Sequence, residues 1–219
     1  MTSDIAFLDP AIALYLGAHS TPPTDIEQRL IDHTHASVDQ AQMQIGFPQA
    51  RFMALLTRIL APTTVIEVGV FTGYSALVVA QELAADATLI ACDVSEEWTS
   101  IGKQYWNEAG VADRIDLRIA PAAETLASLA SDTQVDLAFI DADKTGYLGY
   151  VHQLIPLMHA RSVVLVDNVL WDGQIIDNTD QSADTVALRE FNDAMVNDDR
   201  VDVALLPIGD GLSMITLKR

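Results

Sequence analysis

Beyond Pro62 the chain alternates between short, nearly continuous apolar runs and longer stretches of helical periodicity. The apolar runs predict strands at Thr64–Val70, Thr88–Val94, Ile115–Ile119, Val135–Asp141 and Ser162–Asp167. The stretches between them predict helices near residues 74–85, 97–110, 121–131 and 145–158. Strands that are apolar on both faces and separated by helices build a parallel sheet covered on both sides, a doubly wound α/β fold. The rhythm changes after a helix expected at 183–197. There Val201–Pro207 and Ser213–Lys218 read as two strands joined by the short return Ile208-Gly-Asp-Gly-Leu212, which places one antiparallel strand in the sheet.

Residues before Pro62 read differently. A polar helix is expected from about Thr24 to Gln42, with Thr24 or Asp25 as its N-cap. A second is expected over residues 48–60, with Pro48 tolerated in its first turn and Phe52, Leu55, Leu56, Ile59 and Leu60 at helical spacing. The expectation is one domain over 1–219, with 1–45 a helical arm and 46–219 the catalytic core.

Composition narrows the class. No apolar run reaches the ~18 residues of a membrane span. The start, Met1-Thr2-Ser3-Asp4, lacks the basic residues of a secretion signal, so a cytoplasmic protein is expected. A formal net charge of −19 argues against nucleic acid and anionic membranes as partners. The single cysteine, Cys92, lies in an apolar run and reads as a buried structural thiol.

The first strand of the alternating region runs into Val65-Ile-Glu67-Val-Gly69-Val-Phe-Thr-Gly73-Tyr-Ser75 and then a helix. A glycine loop at the carboxyl end of a parallel strand lets backbone approach a ligand. The spacing Glu-x-Gly-x-x-x-Gly is not the Gly-x-Gly-x-x-Gly of dinucleotide enzymes. Glu67 would repel a phosphate and welcome a cationic amine, which favours S-adenosylmethionine over NAD. Asp93, ~20 residues beyond the loop, can accept hydrogen bonds from ribose hydroxyls.

Two later strands also end in oxygen-bearing side chains, in Phe139-Ile-Asp141-Ala-Asp143-Lys144 and Val166-Asp167-Asn168. All these ends open on one edge of the sheet. Asp141, Asp167 and Asn168 together offer an oxygen-only ligand set suited to a divalent cation such as Mg²⁺, with Mn²⁺ and Ca²⁺ equally compatible, and no histidine or cysteine beside them suggests zinc. The competing reading is that such residues cap the turns that follow. For Lys144 the competing reading is a salt bridge to Asp141 or Asp143. His33 and His35 are two residues apart and face different sides of a helix; His152 and His159 are expected on a surface helix.

Together these phrases, with Tyr147, Val169-Leu-Trp-Asp-Gly173 and Pro207-Ile-Gly-Asp-Gly211, resemble the caffeoyl-coenzyme A and catechol O-methyltransferase superfamily, especially its small bacterial members, from about Gln42 to the C-terminus. The resemblance implies a seven-stranded sheet with a reversed last strand and a homodimer. It implies that Glu67, Gly69, Val70, Ser75, Asp93 and Asp141 meet the cofactor and that Ala122 contacts the adenine through its backbone. It implies that Asp141, Asp167 and Asn168 hold a metal, that Lys144 acts as base beside Asp141, and that Asp143 and Asp172 lie near the acceptor. Two places depart from the family pattern: Arg161-Ser162, where relatives often carry Gly-Gly, and Met43–Phe52.

The chemistry expected is displacement at a sulfonium methyl by a phenolic hydroxyl. A phenol with a pKa of ~10 needs activation at neutral pH, which a divalent cation and Lys144 as proton acceptor would supply. Two vicinal oxygens suit an octahedral cation, so the acceptor expected is a catechol-like or phenylpropanoid molecule, with Trp171 as an apolar wall or else as core packing. Two rival readings are a nucleotide-dependent oxidoreductase on the same fold and a non-catalytic S-adenosylmethionine-binding regulatory protein. The glycine spacing weighs against the first, and Asp141, Lys144, Asp167 and Asn168 against the second.

Overall fold

A computed structural model describes residues 9–219; the Met1-Thr2-Ser3-Asp4 start lies outside them. The alternating region forms β1 (Thr64–Val68), α4 (Tyr74–Glu82), β2 (Thr88–Asp93), α5 (Glu96–Glu108), β3 (Ile115–Ile119), α6 (Ala122–Ala127), β4 (Val135–Ile140), α7 (Tyr147–Leu154), β5 (Met158–Val166), α8 (Ala183–Asn197), β6 (Val201–Leu206) and β7 (Leu212–Leu217). Three helices precede it: α1 (Pro10–Ala18), α2 (Asp25–Ser37) and α3 (Phe47–Leu60). The strands join in one seven-stranded sheet, ordered β3-β2-β1-β4-β5-β7-β6. Pairing is parallel from β3 to β5, and β7 runs antiparallel to both of its neighbours. The single reversed strand is thus β7, entered through the short return at residues 207–211.

The central strands are apolar on both faces because helices cover both. One core lies under α3, α4 and α5 and includes Met53, Leu77, Leu89 and Phe139. The other lies under α7 and α8 and includes Ile66, Ile140, Tyr147 and Phe191. Among the described residues, no helix is long and apolar enough to cross a membrane.

Several expected elements differ. α1 was not expected from the sequence. Thr24 is the N-cap of α2, closed by a capping box in which Thr24 and Glu27 bond each other's backbone N–H. The helix ends at Ser37, short of Gln42. The buried stripe of α3 is Gln49, Ala50, Met53, Ala54 and Thr57, and Leu55 and Ile59 are exposed, Ile59 by 77 %. Of the expected apolar positions, Phe52, Leu56 and Leu60 are partly buried against the same core. α6 stops at Ala127. Residues 158–161 belong to β5, which starts at Met158 with a bulge against β4, so Arg161-Ser162 lies within a strand. Ser162 Oγ satisfies that irregularity, donating to the Val135 carbonyl and accepting from the His159 N–H. His159 therefore lies on a strand, its Nε2 2.7 Å from Asp136 Oδ1, whereas His152 is in α7 as expected.

The N-terminal segment is tied down by charge. Arg51 of α3 donates to the buried Glu27 carboxylate of α2 at 3.0 Å and to the carbonyls of Thr21 and Pro22. Removing one partner of a buried pair strands the other charge. Arg51→Ala is therefore expected to destabilise the fold by about 3 kcal/mol, read as a lower urea midpoint. An unchanged midpoint would show that this pair does not anchor α2.

Candidate active site

The sheet register brings the strand ends together one step at a time. The Gly69 N–H bonds to the Cys92 carbonyl, the Asp141 N–H to that of Val68, and the Asp167 N–H to that of Ile140. Asp93, Gly69, Asp141 and Asp167 consequently stand in a row along one edge, Asp93 as the last residue of β2 and the others just past the ends of β1, β4 and β5.

The glycine loop needs its glycines. Gly69 has φ +89, and a Cβ there would overlap the Asp141 backbone carbonyl. Gly73 has φ +81, and a Cβ there would press into the Trp106 ring, whose Nε1–H donates to the Gly73 carbonyl at 3.0 Å. Asp93 holds the loop between them: its Oδ2 accepts from the N–H groups of Val70 at 2.8 Å and Phe71 at 2.9 Å. The Ser75 hydroxyl donates to Glu67 Oε1. Glu67 is 2 % exposed, and its burial pushes the carboxyl up to about 8, with Asp93 and Asp141 adding to the shift and Ser75 opposing it. Ala122 opens α6, just past the Ala120 N–H that bonds to the Asp93 carbonyl, so it lies on the β2–β3 side of the loop. Cys92 is buried beneath, its thiol pushed up to about 11 by burial.

At the β4 and β5 ends lies a second set of groups. Lys144, only 8 % exposed, donates from Nζ to Tyr147 Oη at 2.6 Å, Asn168 Oδ1 at 2.7 Å and Asp141 Oδ1 at 3.1 Å. The Lys144–Asp141 ion pair exists, but Asp143 is not part of it: Asp143 Oδ1 accepts from the Tyr150 hydroxyl at 2.6 Å. Asp167 is 2 % exposed. Its Oδ1 accepts from the Asn168 N–H at 2.7 Å and its Oδ2 from Gln49 Nε2 at 2.6 Å. Burial pushes its carboxyl up to about 8, helped by the Asp141 charge. Burial likewise drives the Tyr147 phenol well above its ordinary range.

Asn168, Trp171 and Asp172 all adopt positive φ. The loop they shape is pinned by Asp210, whose Oδ1 accepts from the Asp172 N–H at 2.6 Å and whose carbonyl accepts from Leu170. Trp171 packs partly against the core, and Lys144 Nζ stands 5.4 Å from its ring centroid. Gln49 and Asp210 carried no role in the sequence reading. Asp210 sits in a quoted phrase, Pro207–Gly211, and Gln49 in the divergent segment Met43–Phe52.

Among the described residues no three His, Cys, Asp or Glu side chains gather as a metal cluster. The oxygen set here is two carboxylates and one amide. It nonetheless fits a hard cation. Asp167 is a buried carboxyl short of positive charge, and the Lys144 ammonium already occupies the space between the Asp141 and Asn168 oxygens.

A protein-family model described as O-methyltransferase matches residues 18–218, beginning well ahead of Gln42. The Dictyostelium discoideum protein named Probable caffeoyl-CoA O-methyltransferase 2 is 38 % identical over 210 residues, covering 94 % of this chain and 91 % of that one. Caffeoyl-CoA O-methyltransferase 2 of Zea mays is 35 % identical, covering 78 % of this chain and 69 % of its own. The SAH-bound Podospora anserina methyltransferase PaMTH1 superposes with a TM-score of 0.87 at 28 % identity, over 95 % of this chain and 94 % of that one. With the same fold and this breadth of similarity, the chain belongs to the O-methyltransferase family and is an S-adenosylmethionine-dependent O-methyltransferase.

Proposed function

We propose that the chain methylates one hydroxyl of a catechol-like or phenylpropanoid acceptor, with a divalent cation held by Asp141, Asp167 and Asn168. The observation that carries this reading is the convergence of those three residues with Lys144 beside the glycine loop. Mg²⁺ suits the all-oxygen set, and a cation bound there would lower the pKa of an adjacent phenolic hydroxyl.

The protein's own residues then have simple tasks. Glu67, Gly69, Val70, Ser75, Asp93 and the Ala122 backbone form the donor pocket, Glu67 facing the ammonium of the methionine moiety and Asp93 the ribose. Lys144 is held over the Trp171 and Tyr147 rings, and a cation bound at Asp141 and Asn168 would repel its ammonium, so that the lysine as a neutral amine would take the acceptor's proton. Trp171, Asp143 and Asp172 border the acceptor. Holding oxygen, methyl carbon and sulfur nearly in line contributes several kcal/mol to the rate.

Turnover of labelled S-adenosylmethionine with Mg²⁺ and a panel of phenols tests the reading. Catechols are expected to react at least tenfold faster than monophenols, and exhaustive chelation to stop the reaction. Equal rates for the two acceptor types would remove the chelation argument, and full activity after chelation would remove the cation.

Glu67 supplies an independent check. Burial pushes its carboxyl up to about 8, so it is mostly protonated at pH 7. A ligand ammonium favours the carboxylate. Binding of S-adenosylhomocysteine at pH 7 is therefore expected to release close to one proton, and its affinity to rise as pH approaches 8. Calorimetry in buffers of different ionisation enthalpy measures this. Heats independent of buffer would take the ammonium away from Glu67.

The same reading includes a homodimer and a cytoplasmic location. Exposed Leu55 and Ile59 on α3, with Ile12, Leu14 and Tyr15 on α1, support a second copy as partner. Light scattering that returned the mass of one chain would remove it.

A further inference from the structure

Residue 49 falls in the buried stripe of α3, between positions filled by Ala50, Met53, Ala54 and Thr57. The chain buries a carboxamide there, 3 % exposed, and buried amides are tolerated only when bonded. Its Nε2 spends that bond on Asp167 Oδ2 at 2.6 Å, across 118 residues of sequence. Its Oε1 lies against Gly209, in the return between β6 and β7. Gly209 has φ +58, and a Cβ there would overlap the Gln49 Oε1. Thus α3, the end of β5 and the β6–β7 return meet at one side chain. With the Asn168 N–H on Oδ1 and Gln49 on Oδ2, the Asp167 carboxylate is held by one donor on each oxygen, with lone pairs left over on both.

We propose that Gln49 is a positioning residue that orients Asp167 for a divalent cation, and that Gly209 is glycine to leave room for it. The proposal rests on the cation reading of Asp141, Asp167 and Asn168. Hydrogen-bond partners of metal ligands set metal affinity, and their loss costs roughly 10–100-fold. Gln49 touches neither donor nor acceptor in this scheme, so its effect should appear in cation affinity and leave the donor pocket alone.

The experiment measures Mn²⁺ binding by electron paramagnetic resonance on the full chain saturated with S-adenosylhomocysteine. Gln49→Met keeps length and bulk but removes the N–H. It is expected to weaken Mn²⁺ binding roughly 10–100-fold, with S-adenosylhomocysteine affinity unchanged within about twofold. Gly209→Ala reaches the same contact from the other side and serves even if the first variant folds poorly. It should weaken Mn²⁺ binding in the wild-type background and add nothing in a Gln49→Ala background, where the obstructed side chain is gone. Wild-type Mn²⁺ affinity in Gln49→Met, or additive losses in the double variant, overturns the proposal while the cation reading stands. A wild-type protein that takes up no Mn²⁺ overturns both.

Discussion

Asp167→Asn is expected to abolish cation-dependent turnover while making the cation-free protein more stable at alkaline pH. The carboxyl stands at about 8 in the folded chain against an ordinary 3.8, because it is buried and faces Asp141. A carboxyl raised in this way is protonated in both states below pH 4. Between about 4 and 8 the folded state holds a proton that the unfolded state has released, so stability falls as pH rises through that window. Above 8 the folded chain carries a buried charge beside Asp141, which two hydrogen bonds and the Lys144 charge do not fully offset. Asn keeps the shape and can still accept from Gln49, but it carries no charge to bury. Thermal melts with chelator across pH 4–9 should show wild type and variant converging near pH 4 and the variant melting higher above pH 8. Added Mg²⁺ should raise the wild-type melt and leave the variant unmoved. Activity should fall by more than the roughly 10–100-fold that loss of a ligand's hydrogen-bond partner costs. A variant that matched wild type in Mg²⁺-dependent rate would take Asp167 out of the mechanism.

Lys144→Ala is expected to lower kcat by about 10²–10⁴-fold, the range over which a positioned base contributes, with S-adenosylhomocysteine affinity nearly kept. The amine lies among Asp141, Asn168 and Tyr147, whereas the proposed donor pocket includes the separate Glu67–Ser75 pair. Raising the pH should recover part of the loss, since solvent then ionises the acceptor without help. A ground-state ion pair would behave differently: its loss would lower the melting temperature and leave the pH–rate profile with its original shape. Steady-state kinetics from pH 6 to 10 on both proteins separates the two. A Lys144→Ala variant at wild-type rate near neutral pH would leave the methyltransferase assignment intact and end the base assignment.

Much of the architecture was legible along the chain because it depends on local pattern. The parallel strands carry apolar residues on both faces, and β3 falls at the expected Ile115–Ile119. The glycine loop, the strand-end acids and the reversed strand are each marked by residues a few positions apart. What failed locally failed for stated reasons. Leu55 and Ile59 share the helical spacing of α3 with Phe52, Leu56 and Leu60 but are exposed, because only the packing of α3 on its neighbours decides which side of that stripe is covered. The start of β5 lay hidden in Met158–Arg161, where a bulge breaks the apolar run.

The site divides along the same line. The glycine, acid and lysine types at the strand ends are legible in the sequence, since each follows an apolar strand run within a few positions. Which of them touch was decided only by the tertiary fold. Lys144 could pair with Asp141 or Asp143 by spacing, and the β4–β5 register turns it to Asp141 and Asn168 while Tyr150 takes Asp143. Gln49 and Asp210 are ordinary polar residues in one dimension. They join the site because a helix before the sheet and the return between β6 and β7 fold back onto the same edge, and contacts spanning 118 and 38 residues leave no periodic trace in the chain.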